Sequence, residues 1–171
     1  MPPTEAAGTV HIVFGPQGAG KSTYSRRLTN ETEGVGFSID DWLNQLYGPD
    51  LPKPLNFAWI MERVRRCETR IWATASEFAR AGGSVVLDLG FMKVDNRTEF
   101  VDLAHASGLP SQLHFIDAPL NTRKKRVLAR NAEKGDTFSF EVTPAMFDFM
   151  EKEFQRPTTA ELLTAHVSRS E

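Results

Sequence analysis

One stretch restricts this chain's choice of fold more than any other: Thr9-Val10-His11-Ile12-Val13-Phe14-Gly15-Pro16-Gln17-Gly18-Ala19-Gly20-Lys21-Ser22-Thr23. An apolar run rich in β-branched residues reads as a buried strand. It breaks at Gly15, passes through a glycine-rich turn and re-enters as a helix from Lys21 to about Thr29. Gly15, Gly20, Lys21 and Ser22 fit G-x-x-x-x-G-K-[ST], the phosphate-binding loop. Backbone N–H groups turned inward around a phosphate need glycines, which adopt unusual φ/ψ and carry no Cβ. The helix behind them aims its unpaired N–H groups and positive dipole end at the same anion. On this logic Gly15, Gln17, Gly18, Ala19, Gly20 and Thr23 form the cradle of a nucleoside triphosphate. Lys21 reaches the β- and γ-phosphates, and the Ser22 hydroxyl ligates Mg²⁺.

The rest of the chain repeats the strand–helix alternation. A short strand is expected over Val35–Ile39, then Asp40-Asp41 and a short helix from Trp42 to Leu46. Gly48–Pro54 is loop, because its prolines cannot continue either regular element. Phe57, Ile60, Met61, Val64, Ile71, Ala75 and Phe78 recur at helical steps, predicting a long helix from Leu55 to Ala81 that Gly82-Gly83 stops. Trp59, Trp72 and Cys67 in it are read as packing. Strands follow over Ser84–Asp88 and Gln112–Asp117, with helices over Val94–Ser107 and Leu120–Lys134. Gly135–Ser139 is loop, Thr143-Pro144 opens a helix through Phe154, and Leu162–Val167 is expected as a fifth edge strand. The continuous apolar runs suit strands covered on both faces. The expectation is a three-layer α/β/α P-loop fold around a doubly wound, mainly parallel five-stranded sheet, in one domain over residues 1–171.

Composition narrows the partners. A net charge of −2 exerts no global pull toward nucleic acid or membrane, so any basic surface is local. The single cysteine excludes an internal disulfide and fits a reducing compartment. The start lacks the n- and h-regions of a signal peptide, and no apolar run reaches the ~18–20 residues of a membrane span. A cytoplasmic protein is expected, with its oligomeric state open.

Ligands in open α/β sheets bind outside the carboxyl ends of the strands. Asp88 ends an apolar strand, the place for a carboxylate that holds Mg²⁺. Asp40 and Asp41 follow the second strand. Spacing alone leaves two roles open for Asp40, a general base for an acceptor hydroxyl or the cap of the Trp42 helix. Asp117 is read as structural, and His11 and His114 as core. Arg123, Arg126 and Arg130 stand at i, i+3 and i+7 on one helix face, and their guanidinium forks suit phosphate oxygens. Lys124, Lys125 and Lys134 are read as solvated.

These motifs give the chain a resemblance to the small P-loop kinases of the zeta-toxin, chloramphenicol phosphotransferase and polynucleotide kinase group, often labelled AAA-family ATPase-like. The resemblance rests on Gly15–Thr23, Ser38-Ile39-Asp40-Asp41 and Val85–Phe91. It rests also on Asp117-Ala118-Pro119 leading to Arg126 and Arg130-Asn131, and on Phe154, Pro157 and Glu161. It implies MgATP as phosphoryl donor, Asp40 as base, and a lid over about 123–140 that brings Arg126 and Arg130 to the reaction beside Lys21. Polynucleotide kinases carry an arginine three residues after the base, where this chain has Leu43. The expected activity is transfer of the γ-phosphoryl group of ATP to a hydroxyl of a small molecule. The alternatives are a 5′-hydroxyl nucleic-acid kinase, or a nucleotide-binding toxin or regulatory ATPase that acts with a protein partner.

Overall fold

The computed structural model describes residues 6–133 and 141–171. Its strands are β1 (Val10–Phe14), β2 (Val35–Ser38), β3 (Val85–Asp88), β4 (Ser111–Asp117) and β5 (His166–Arg169). They form one sheet in the order β2-β3-β1-β4-β5, with every neighbouring pair parallel. Between them run helices α1 (Lys21–Glu31), α2 (Ile39–Tyr47), α3 (Phe57–Arg80), α4 (Val94–Ala106), α5 (Leu120–Glu133), α6 (Pro144–Glu153) and α7 (Thr159–Thr164). Among the described residues, no helix is long and apolar enough to cross a membrane.

Period-2 alternation splits the sheet's side chains between two layers. Val10, Ile12 and Phe14 join Val85, Leu87, Leu113 and Phe115 on the face covered by Cys67, Ile71 and Ala75 of α3 and by Phe100 and Ala104 of α4. Val13, Val86 and Ile116 turn the other way, onto Tyr24 and Leu28 of α1. This is the three-layer, doubly wound arrangement expected from the alternation of elements. Cys67 is a buried thiol within α3, and Trp72 packs edge-on against Phe100 at 6.0 Å.

His11 and His114 share the α1 face, where His114 is buried. His114 Nε2 lies 2.9 Å from His11 Nδ1, and its Nδ1 lies 2.7 Å from the Tyr24 hydroxyl. The exposed His166 on β5 stands beside it, with ring centroids 5.3 Å apart. Burial, then the neighbouring His11 and His166, push the His114 pKa down to about 4.

Two segments depart from the expected boundaries for reasons of capping. The Ser38 side chain accepts from the Asp41 N–H and caps α2, which therefore starts at Ile39 rather than Trp42. Asp40 is not the cap. Near the C-terminus, Thr158 and Glu161 form a reciprocal capping box, so residues 159–164 wind into α7. The edge strand expected at Leu162 begins only at His166.

Candidate active site

The carboxyl ends of β1, β2 and β3, the N-terminus of α1, and helices α5 and α6 enclose a pocket of about 330 Å³. Its floor is the loop between β1 and α1. Gly18 and Gly20 have φ of 77° and 101°, the left-handed region glycine adopts without steric cost. At Gly15 close approach, not φ, sets the requirement: a Cβ there would lie 2.0 Å from the Ile116 carbonyl oxygen. Gly20 leaves the start of α1 without a side-chain cap. The first N–H groups of that helix thus keep their donors for an anion.

Charged groups converge above this floor. Lys21, Ser22, Asp40, Asp88, Arg126 and Arg130 all line the pocket. Burial lowers the Lys21 pKa against the pull of Asp88 and Asp40, and its Nζ donates to the Pro16 carbonyl at 3.0 Å. Burial raises Asp88 to about 6, Lys21 opposes the shift, and Asp40 and Asp41 add to it. The Asp88 carboxylate also interacts with the Ser22 hydroxyl. Desolvation raises Asp40 above the usual carboxylate range, with Lys21 and Arg130 pulling the other way. The side chain of Asp40 stays open to solvent within the concavity.

Ser22 and Asp88 together offer hard oxygen donors at one place, the chemistry Mg²⁺ takes. No group of three or more His, Cys, Asp or Glu side chains able to hold a metal exists among the described residues.

The arginines of α5 divide. Arg126 donates to the carbonyls of Gly18 and Ala19 at 3.3 and 3.2 Å and to Ser170 Oγ at 2.9 Å. Arg130 lines the pocket with its Nε buried and without a hydrogen-bond partner among the described residues, as is Gln17 Oε1. Arg123 is a correction to the expectation that all three face phosphate. It is 1% exposed and pairs with both Glu151 carboxylate oxygens, at 2.6 and 2.8 Å. It also donates to the carbonyls of Ala118 and Gln17 at 2.9 and 3.4 Å. The physical reason lies along the helix rather than around it: Arg123 and Arg130 are only about 20° apart in rotation but roughly 10 Å apart along the axis. Arg123, in the first turn, meets Glu151 of α6, while Arg126 and Arg130 line the pocket.

Of the lid expected over 123–140, residues 134–140 lie outside the described residues. At their neck, Asn131 Nδ2 donates to the Val142 carbonyl at 2.7 Å, and the Val142 N–H donates to Asn131 Oδ1 at 3.0 Å.

The side of the pocket facing Asp40 is made by residues that spacing did not mark. Gly90 and Phe91 both have positive φ, 88° and 48°, in the turn that brings Met92 to the pocket. Arg97, fully buried, holds that turn. It donates to the Phe91 carbonyl at 2.8 Å and the Gln155 carbonyl at 3.0 Å, and binds both Glu161 oxygens at 2.7 and 3.1 Å. Gln155 N–H in turn donates to the Met92 carbonyl at 2.8 Å. Arg97 thereby ties the strained turn to the segment bearing Phe154. In sequence it is one charged residue on a helix, with no signal separating it from a solvated one. Asp117 accepts from Arg156 at 2.9 Å and caps its own turn, in keeping with a structural role.

Residues 10–157 match the model of a family described as an AAA domain. No curated protein matches the chain. Among solved structures, a candidate kinase from Chloroflexus aurantiacus J-10-fl aligns with TM-score 0.71 at 17% identity, over 96% of this chain and 85% of that one. Chaetomium thermophilum Kti12 in complex with ADP-AlF3 aligns with TM-score 0.68 at 14% identity, over 94% and 88%. Mycobacterium tuberculosis APS kinase CysC, in complex with AMPPNP and APS, aligns with TM-score 0.60 at 19% identity, over 97% and 90%. Likeness at these identities is likeness of fold.

Proposed function

The chain belongs to the AAA domain family, and on that footing we propose that it is an ATP-dependent kinase that transfers the γ-phosphoryl group to a hydroxyl of a small molecule. Within the family we place it with the zeta-toxin, chloramphenicol phosphotransferase and polynucleotide kinase group that its motifs resemble. The observation that carries the reading is a single pocket holding the phosphate loop, Ser22 and Asp88 on one side and the accessible, base-like Asp40 on the other. Two of the similar structures are complexes with adenine nucleotides or their mimics, which supports a nucleotide on the loop.

The roles follow from position. The loop's N–H groups and the α1 terminus bind the phosphates, and Lys21 neutralises charge on the oxygens that bridge and flank the transferred phosphorus. Arg126 and Arg130 close on the same oxygens from α5. Ser22 and Asp88 would hold Mg²⁺, which supplies Lewis-acid charge to the phosphates when bound. Asp40 accepts the hydroxyl proton of the acceptor. As the acceptor oxygen bonds to the γ-phosphorus, the bond from that phosphorus to its bridging oxygen breaks and ADP leaves. The raised pKa of Asp40 moves it nearer neutrality, where a base is most effective.

Leu43 bears on the choice of acceptor. It packs on the main core cluster and puts no cation where polynucleotide kinases carry arginine. A small molecule is therefore the acceptor class we assign. The test is transfer of labelled γ-phosphate to pooled small hydroxyl compounds and to 5′-hydroxyl oligonucleotides, with Lys21→Ala as control. Labelled small-molecule product that disappears in Lys21→Ala is expected; label confined to oligonucleotide would reverse the choice.

A further inference from the structure

The pocket's two sides differ in chemistry, and that difference speaks to what the acceptor is. Among the described residues, the cations that line it are Lys21, Arg126 and Arg130. Lys21 belongs to the phosphate loop, Arg126 borders it, and Arg130 acts on Lys21 as well as on Asp40. Arg126 is bonded to the loop's own carbonyls, and Lys21 and Arg130 both act electrostatically on Asp40. The remaining wall is apolar: Ile39, Met92, Val127, Val142, Met150 and Phe154. These side chains arrive from the start of α2, the turn after β3, α5, α6 and the segments beside α6.

A second apolar feature stands on the same helix as Met150. Phe149, next to Met150 on α6, meets Phe57 at the start of α3 edge-to-face, with centroids 6.4 Å apart. Both are exposed, Phe57 at 66% and Phe149 at 53%. Large aromatic side chains are seldom left in water without a packing partner of their own size. Here the pair spans from α3 to the helix that forms one wall of the pocket.

Resting on the kinase reading, we infer that the acceptor is an uncharged alcohol with an apolar, ring-bearing body. Its hydroxyl meets Asp40, its body lies against Met92, Met150 and Phe154, and its far end reaches the Phe57–Phe149 pair. An anionic acceptor would place its charge beside Asp40 and Asp88, against side chains that among the described residues add no cation beyond Lys21, Arg126 and Arg130. The desolvation cost would go unrepaid. A polyhydroxylated acceptor would leave its hydroxyl groups unmatched on Met and Phe side chains, which costs far more discrimination than a missing methylene.

The test uses the full chain, MgATP labelled at the γ position, and four probes: 2-phenylethanol, glucose, gluconate and an oligodeoxynucleotide with a free 5′-hydroxyl. Each probe is titrated for phosphorylated product and for its effect on phosphate released to water. 2-Phenylethanol should act at a concentration at least about tenfold below glucose and gluconate, the scale set by a few methylenes in an apolar pocket. Phe149→Ala, outside the pocket lining, should raise that concentration about threefold and leave the ATP dependence unchanged, a shift within the range of one lost aromatic contact. Met92→Arg, which supplies the missing cation, should shift the preference toward gluconate. Preference of the unaltered chain for gluconate or the oligonucleotide, or turnover of MgATP that no alcohol affects, would overturn this inference and leave the kinase reading standing. Failure to bind MgATP would overturn the kinase reading, and the acceptor inference with it.

Discussion

The two walls of the pocket are built by different means. The phosphate wall comes from one loop and the helix start behind it, residues between Gly15 and Thr23, and presents uncapped backbone N–H groups and one lysine. The facing wall gathers side chains from residues 39–40, 90–92 and 142–154, and long-range polar contacts hold it in place. Arg97 with Glu161 fixes the Met92 turn against the Phe154 segment, and Arg123 with Glu151 fixes α6 behind the loop. A binding surface of backbone atoms tolerates little change along the chain. One made of side chains on separate elements can be re-lined while its buried ion pairs hold the elements still. That contrast explains how one nucleotide-binding design can serve different acceptors.

The largest effect that can break this contrast is at Asp40. Asp40→Asn should cut acceptor-dependent transfer by about 10²–10⁴, the usual loss of a general base, with MgATP affinity held within a few-fold. Asp88→Asn should do the reverse, weakening Mg²⁺-dependent nucleotide binding first. Calorimetry with ATP beside transfer assays in both mutants checks it, and full transfer by Asp40→Asn would remove it as the base. Lys21→Ala comes next. Turnover should fall by roughly 10²–10³, as for other lost charge-stabilising donors, in a protein whose circular dichroism is unchanged. Lys21 faces the pocket and donates to the Pro16 carbonyl, so undiminished ATP affinity together with unchanged turnover would refute its role.

A third test addresses what holds the facing wall. Arg97→Ala strands the Glu161 carboxylate and the Phe91 and Gln155 carbonyls, and should cost on the order of 3–5 kcal/mol in denaturant unfolding. At low temperature, where the protein stays folded, ATP affinity should survive and transfer should not. Loss of both in equal measure would mean that the walls are not independent. The smallest effect concerns pH. His114 is held at about 4, so below its ordinary 6.5 the unfolded chain binds a proton that the folded chain refuses. Its contribution is intact above pH 6.5 and is lost as pH falls toward 4, up to about 3 kcal/mol in all. Glu68 and Asp88, raised to about 7 and about 6, lose stability in the other direction, as pH rises. The His114 share is therefore the difference between the parent chain and His114→Gln, and identical pH profiles would deny it.

The sequence made the phosphate wall legible because its chemistry is local: spacing, glycine and a strand–helix junction decide it together. The parallel sheet and its two covering layers followed from apolar runs alternating with helices, whereas the order of the strands came only with the structure. Asp40 was ambiguous by spacing, since an aspartate before a helix caps as well as it catalyses. Only the Ser38 hydroxyl on the Asp41 N–H removes the capping role. Arg123 misled because a stripe of arginines says which face they share and nothing about where the face turns under its first residue. Arg97, Met92 and Met150 were invisible for a further reason. Their roles are created by partners tens of residues away, such as Gln155 and Glu161, and no local pattern encodes those meetings. The C-terminal strand was shifted by a capping box whose Thr158 and Glu161 stand in the sequence at the right spacing.

The pair of hydrogen bonds between Asn131 and Val142 makes a practical handle of the chain between them. Both backbone and side-chain partners are satisfied at that neck, so the positions of Arg130 on one side and the α6 cap on the other are set there. Residues inserted between the two ends would be tethered at a closed base. The entropic cost of such a tether grows slowly, about 0.6 kcal/mol for each doubling of length. An epitope, a fluorophore-bearing peptide or a library of acceptor-gripping segments could be spliced in at this point. The pocket would then serve as a chassis, with selection for new acceptors acting on the graft while the nucleotide wall remains untouched.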